Sequence, residues 1–422
     1  MSIRIPSVKT LLLVAVPSVL FAAAMIFLLP HLRHQHAVNA VIRIYESQLR
    51  SSKSLMLWYE TTRETPNWIA SFAGRRFDGL FLRADCIWIS PSPQAAAVQY
   101  VPDLKELQEL RVCQIPLTSE WMASLQGMKH LRTLMLQQTT IGDDEIAFLK
   151  GLTTLTNLNL VGTRLTGDGL AHLSGLTALR QLELNGTAVT DDSLKHLRGM
   201  SELRELKLAG TQITDAGLVH LAALPRLRKL DLAQTRVTDA GLKHLASNRE
   251  LAELFLTHTN VTGRTLNAAH FPRLWTLFLS GTAVDDAGAA QIATLTRLRS
   301  LRLAGTRVTD EGLKALAKLE SLEGLSLRGT SIDGSGLAAF DGHYRLSRLD
   351  LAQTRSGDAA LASIATMPFL RELHLDGTRI TDEGLLTLKD HRSLQRVTIE
   401  GTAVTPKAAR QLRANTRALA RP

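Results

Sequence analysis

The chain has 422 residues, 45 % of them hydrophobic and 21 % charged, with a formal net charge of +10. This composition excludes general disorder, and two cysteines exclude a disulfide scaffold or a paired CxxC zinc module. The charge excess sits at the ends: residues 1–102 carry ten Lys/Arg against five Asp/Glu, residues 403–422 five against none, and residues 103–402 34 against 34. A body that balances to zero speaks against nucleic acid as a partner, because a reader of phosphate backbones needs a basic stripe along its surface.

In chain order, residues 1–10 form a short basic N-terminus ahead of "LLLVAVPSVLFAAAMIFLL", residues 11–29, which holds no charge. A helix of that length covers about 28 Å, close to the hydrocarbon thickness of a bilayer, and predicts a transmembrane signal anchor. Ala22 and Ala24 offer an A-x-A cleavage site, but the apolar run continues straight through it. Basic residues before the span favour a cytoplasmic N-terminus, with the remainder across the membrane. Within residues 30–102, "AVNAVIRIYESQLR" reads as a membrane-proximal amphipathic helix, and "NWIASFAGRRFDGLFLRADCIWI" alternates enough to supply one or two strands of an N-terminal cap. Cys86 and Cys113 have the option of pairing if this region is exported and remain two thiols if it is cytosolic; sequence separation leaves their distance open.

Residues 103–402 are built from a repeat. A threonine recurs as Thr139, Thr163, Thr187, Thr211, Thr235, Thr259, Thr282, Thr306, Thr330, Thr354, Thr378 and Thr402. Each step is 24 residues except the 23 between Thr259 and Thr282, and the frame extends back to Ile115, making thirteen units. Leu203, Leu206 and Leu208 before Thr211 illustrate the unit, where alternation predicts a short strand parallel to its neighbours. Thr214 and Asp215 then suit a helix start, through hydroxyl capping and a carboxylate at the positive end of the dipole. Leu218, Leu221 and Leu224 form one inward stripe of about two helical turns. The ladder threonines are expected to satisfy loop amides and carbonyls of adjacent units. Residues 403–422 read as a capping helix with a basic tail.

Repeats such as "LRELKLAGTQITDAGLVHL" resemble the leucine-rich repeat, with threonine where many members have asparagine or cysteine. The GT-x-[IV]-TD-x-GL form is similar to the ribonuclease-inhibitor-like repeats of planctomycete membrane-anchored proteins, and more distantly to repeats of F-box substrate receptors. The resemblance implies an α/β horseshoe solenoid, with a parallel sheet on the concave face and short helices on the convex face, that binds other macromolecules. Two units depart from the pattern: "TNVTGRTLNAAHFPRLWTLFLSGT" lacks one residue, and "LAQTRSGDAALASI" places Ser356 and Gly357 where Val/Ile and Thr are usual.

Residues two, four and six positions before each threonine point away from the core. The middle column brings Phe255 beside Phe278, with Trp275 close by and Lys207, Asp231 and Arg302 flanking. Exposed aromatics beside arginine suit a protein-binding hot spot; they also suit a patch over the missing residue. His172, His196, His220 and His244 form a column on successive helices, but no carboxylate or cysteine joins it, so no metal site is expected. Catalytic motifs of the G-x-S-x-G, H-E-x-x-H and Walker types are missing, and the chain is read as a non-enzymatic binder needing no cofactor. Alternatives are an F-box-like adaptor and a structural envelope protein without a discrete ligand.

Overall fold

The computed structural model describes residues 86–89, 107–415 and 419–421. The expected membrane span and membrane-proximal helix lie outside these residues. Among the described residues no helix is long and apolar enough to cross a membrane.

The core-facing leucines of each repeat alternate with outward-facing residues, and the strands they form are short. Fifteen strands among the described residues make one parallel sheet in strict chain order. Thirteen of them, from Glu109–Val112 to Arg396–Thr398, fall one per repeat. Their register is the repeat itself: Glu205, Leu206 and Lys207 lie opposite Lys229, Leu230 and Asp231. Ahead of the array, Cys86–Ile89 pairs with Glu109–Val112 and covers the first strand edge.

At the far end the basic tail is more than a tail. After the helix Pro406–Asn415, residues 419–421 form a strand on Arg396–Thr398. The last edge would otherwise leave a row of N–H and C=O groups without partners.

Leu203, Leu206, Leu208, Ile213, Leu218, Leu221 and Leu224 of one repeat are all fully buried, and their counterparts join them in one continuous core. A single repeat could bury none of this on its own; stacking does it. Helices run from four to seven residues in most repeats, as in Asp215–Leu221, and become 3₁₀ turns at Asp191–Leu197 and Ser335–Phe340. The 23-residue repeat has no described helix between Glu253–Phe255 and Thr276–Phe278. Its missing residue shortens the segment, and buried Phe271 occupies the core there. The repeat with Ser356 and Gly357 keeps a seven-residue helix, Asp358–Ile364, but Gly357 supplies no side-chain cap.

The chain leaves each of the thirteen repeat strands through one residue in the left-handed region. Eight glycines and Gln114, Gln138, Gln234, His258 and Gln353 hold this place, with φ between +56° and +69°. The next residue, the ladder threonine, closes the turn. Each of the twelve hydroxyls donates to the carbonyl three residues back in its own strand, over 2.5–2.8 Å. The expected bonds to adjacent units are therefore made by other groups: the backbone, as in Gly162 N–H to the Asn185 carbonyl (2.9 Å), and aspartates described below. Left-handed backbone costs a residue with a Cβ roughly 1–2 kcal/mol, most for β-branched types. Nothing lies within 4 Å of a Cβ at Gly305. Gly305→Val should accordingly destabilise by about 2 kcal/mol from backbone strain alone, and Gly305→Gln by less, as read by urea unfolding.

Asp215 begins a helix, as its position suggests, but its carboxylate also reaches the next repeat. It accepts from the N–H (2.7 Å) and hydroxyl (2.6 Å) of Thr238, which in turn caps its own helix at Ala240 N–H. The same staple joins Asp143 to Thr166, Asp191 to Thr214, Asp239 to Thr262, Asp286 to Thr309, Asp358 to Thr381 and Asp382 to Thr405. After five of the seven receiving threonines, a glycine three residues on makes room for it. A Cβ on Gly169, Gly217, Gly241, Gly312 or Gly384 would run into the stapling carboxylate of the preceding repeat.

Candidate functional site on the sheet face

Parallel strands set about 4.8 Å apart bring equivalent outward residues into contact across the sheet. The register places Lys207 opposite Asp231, Asp231 opposite Phe255, Phe255 opposite Phe278, and Phe278 opposite Arg302. The two rings meet edge to face, with centroids 4.9 Å apart and planes at 88°. The Arg302 guanidinium lies 4.1 Å from the centre of the Phe278 ring. Lys229 reaches the other ring, with Nζ 5.7 Å from the centre of Phe255. Both phenylalanines are half-buried and Arg302 is exposed, so the group has an apolar centre and a cationic rim.

Lys229 was missed in the sequence because the middle column alone was followed. It stands six residues before Thr235, on the same outward face, and that spacing is the signal for it. Lys207 is instead held by carboxylates, at 2.9 Å from Glu183 and 3.4 Å from Glu205, while Lys229 pairs with Glu205 at 3.0 Å. Partial burial opposes the charge on Lys207, but these two glutamates raise its pKa above the ordinary lysine value. Burial pushes the Asp231 carboxyl up, against the Ala233 N–H at 3.0 Å and the charges of Lys207 and Lys229. The site is thus two parts: an acid–base network over Glu183, Lys207, Glu205 and Lys229, and an aromatic–cation group beside it.

Trp275 is the remaining aromatic candidate. It precedes its strand, seven residues before Thr282, and is 42 % exposed. Among the described residues no ring contact joins it to the phenylalanine pair. In the histidine column, His220 Nδ1 lies 2.8 Å from the Arg198 guanidinium, and burial together with that charge lowers its pKa. Among the described residues no three His, Cys, Asp or Glu side chains converge as a metal site. Cys113 is buried, and pairing with Cys86 concerns a side chain outside those described.

Two family models, both described as leucine rich repeat, match the array: one over residues 153–213, the other over 224–246, 294–317 and 366–389. The chain is a leucine-rich repeat protein. A comparison with curated proteins finds no match. Two solved leucine-rich repeat structures share the fold. An internalin of Listeria monocytogenes is 22 % identical with a TM-score of 0.62, covering 78 % of this chain and 93 % of its own. A leucine-rich repeat protein of Leptospira interrogans is 17 % identical with a TM-score of 0.62, covering 89 % and 98 %. At these identities the likeness concerns the solenoid, and the sheet-face residues of this leucine-rich repeat chain are its own.

Proposed function

We propose that this protein is a membrane-anchored, non-catalytic binding module that grips a protein on the concave face of its sheet. Leucine-rich repeat domains typically serve protein–protein interaction. Phe255 and Phe278, edge to face and roofed by Arg302, carry the assignment of the site, because aromatic and arginine side chains dominate the energy of protein interfaces. The uncharged run 11–29 supports the anchor, and the charge distribution around it supports an extracytoplasmic array. The GT-x-[IV]-TD-x-GL form supports the ribonuclease-inhibitor-like subtype of planctomycete membrane-anchored proteins.

A structural role for the aromatic pair is favoured by one observation: the two strands that carry it flank the 23-residue repeat. One experiment separates the readings. Phe255→Ala/Phe278→Ala in the full-length chain should lose a partner captured by the wild type while its melting temperature falls little. A large fall in melting temperature with the partner retained would make the pair a patch over the short repeat. Protease digestion of intact cells tests the placement: cleavage of the array from outside supports it, and protection would refute it.

A further inference from the structure

The even charge balance of residues 103–402 conceals a segregation that the fold makes visible. Each repeat returns from helix to strand through an exposed turn, seven to ten residues before its ladder threonine. Positions seven, nine and ten before the twelve threonines hold 13 Lys/Arg and 4 Asp/Glu, whereas positions three to five after them, where the helices start, hold 15 Asp/Glu and 2 Lys/Arg. Seven of those acids are engaged in the inter-repeat contacts described above, but the 13 return-turn cations are all exposed. Arg180, Arg204, Arg226, Arg249, Arg273 and Arg297 place at least one guanidinium in each of six consecutive repeats. Arg226 and Arg273 pair with Glu202 and Glu250; among the described residues, Arg180, Arg204 and Arg297 have no ion pair. Trp275 stands in the same strip, its backbone carbonyl accepting from Arg299 N–H at 2.8 Å.

We propose that this return-turn edge is a binding strip for a linear anionic polysaccharide of the polyuronate kind. The strip is separate from the sheet-face site and does not depend on it. Six strands at about 4.8 Å spacing extend over roughly 24 Å, too long for a small anion and suited to a chain with repeated charge. Guanidinium groups take carboxylates through paired N–H donors. A pyranose unit is close to one strand spacing long, so a uronate on every ring comes into step with the arginines. An extended acidic peptide advances about 3.3 Å per residue and turns alternate side chains away, and a single-stranded nucleic acid needs an aromatic platform for successive bases. The dense part of this strip has one exposed indole, enough to stack on a single sugar ring.

The test uses the purified full-length chain and three probes: polygalacturonate, poly-L-glutamate and oligo-dT of matched charge. Arg180→Glu/Arg204→Glu/Arg297→Glu alters the strip. Arg236→Glu/Arg307→Glu/Arg355→Glu makes the same net charge change at exposed residues just after the ladder threonines. The expected result is salt-sensitive binding of polygalacturonate, weakened about tenfold or more by the strip variant and less than about threefold by the control. Trp275→Ala should weaken polygalacturonate and leave poly-L-glutamate unchanged. No binding of polygalacturonate at low salt, equal losses in the two triple variants, or equal or tighter binding of either other probe would overturn the proposal. Circular dichroism confirms that both triples fold; their substitutions are all at exposed positions, so a loss of fold would itself contradict the placement of these arginines.

Discussion

Gly241→Ala is expected to destabilise the array by about 3 kcal/mol, although alanine is the better helix former by about 1 kcal/mol. The added methyl would fall inside contact distance of the Asp215 carboxylate, with the Asp215 Cα only 2.9 Å away. To relieve the overlap, Asp215 must give up its bonds to the N–H and hydroxyl of Thr238, or the two repeats must separate. Asp215→Ala alone removes charge-assisted bonds worth about 2 kcal/mol. If both substitutions act through one contact, the double variant falls short of the sum by about 1 kcal/mol or more. Urea unfolding with amide exchange at Thr238 measures this. Additive costs, or a Gly241→Ala variant more stable than wild type, would sink the account.

The sequence of the array itself carries a version of this experiment. From Thr163 onward the receiving glycine is replaced in four repeats, by Ser193, Thr265, Ala360 and Ala408, and at Ser193 and Ala360 the aspartate 26 residues earlier has become a glycine, Gly167 and Gly334. A Cβ on Gly334 would collide with the Ala360 methyl, and one on Gly167 would press to 3.1 Å from Ser193 Cβ. The two positions share room for one side chain. Asp239 with Thr265 and Asp382 with Ala408 depart from the rule, the first in the short repeat and the second at the terminal helix.

Much of the fold was legible because its signals are periodic. Leu206 and Leu208 alternate as a strand must, Leu218 and Leu221 follow a helix, and the constant interval implies parallel register. What escaped was the direction of polar groups across repeats. Thr211 offers the same hydroxyl whether it serves its own strand or a neighbour, and Asp215 reads as a helix start because a carboxylate there satisfies the dipole within one repeat. Site residues were legible to the extent that they lie on the outward face: Phe255, Phe278 and Arg302 came together, and Lys229 was one column away. Trp275 was read at the edge of its strand, and it stands immediately before Thr276–Phe278. The arginine strip was hidden by summation, since its charges cancel against aspartates at the opposite ends of the same strands.

Asp239→Ala should release the 23-residue repeat, at about 3 kcal/mol near neutral pH. This carboxylate accepts from Thr262 N–H (2.6 Å) and hydroxyl (2.8 Å) and from Thr265 N–H (3.2 Å) and hydroxyl (3.1 Å). The repeat it holds has no described helix, so these bonds fix a segment that elsewhere is fixed by helical hydrogen bonding. Burial alone would raise the Asp239 pKa, but the four donors hold it below the ordinary aspartate value. A carboxylate with a depressed folded pKa contributes stability that is fully present above the unfolded value and is lost as pH falls through the folded one. The gap between wild type and Asp239→Ala is therefore widest at neutral pH and closes in acid, where the protonated wild type no longer has its charge-assisted bonds. Amide exchange across residues 260–274 should rise in the variant while that of distant repeats, such as the helix Asp358–Ile364, stays unchanged, because each repeat of a solenoid contacts only its neighbours. An equal gap at neutral and acid pH, or protection lost evenly along the array, would show that Asp239 is not the group that holds the short repeat.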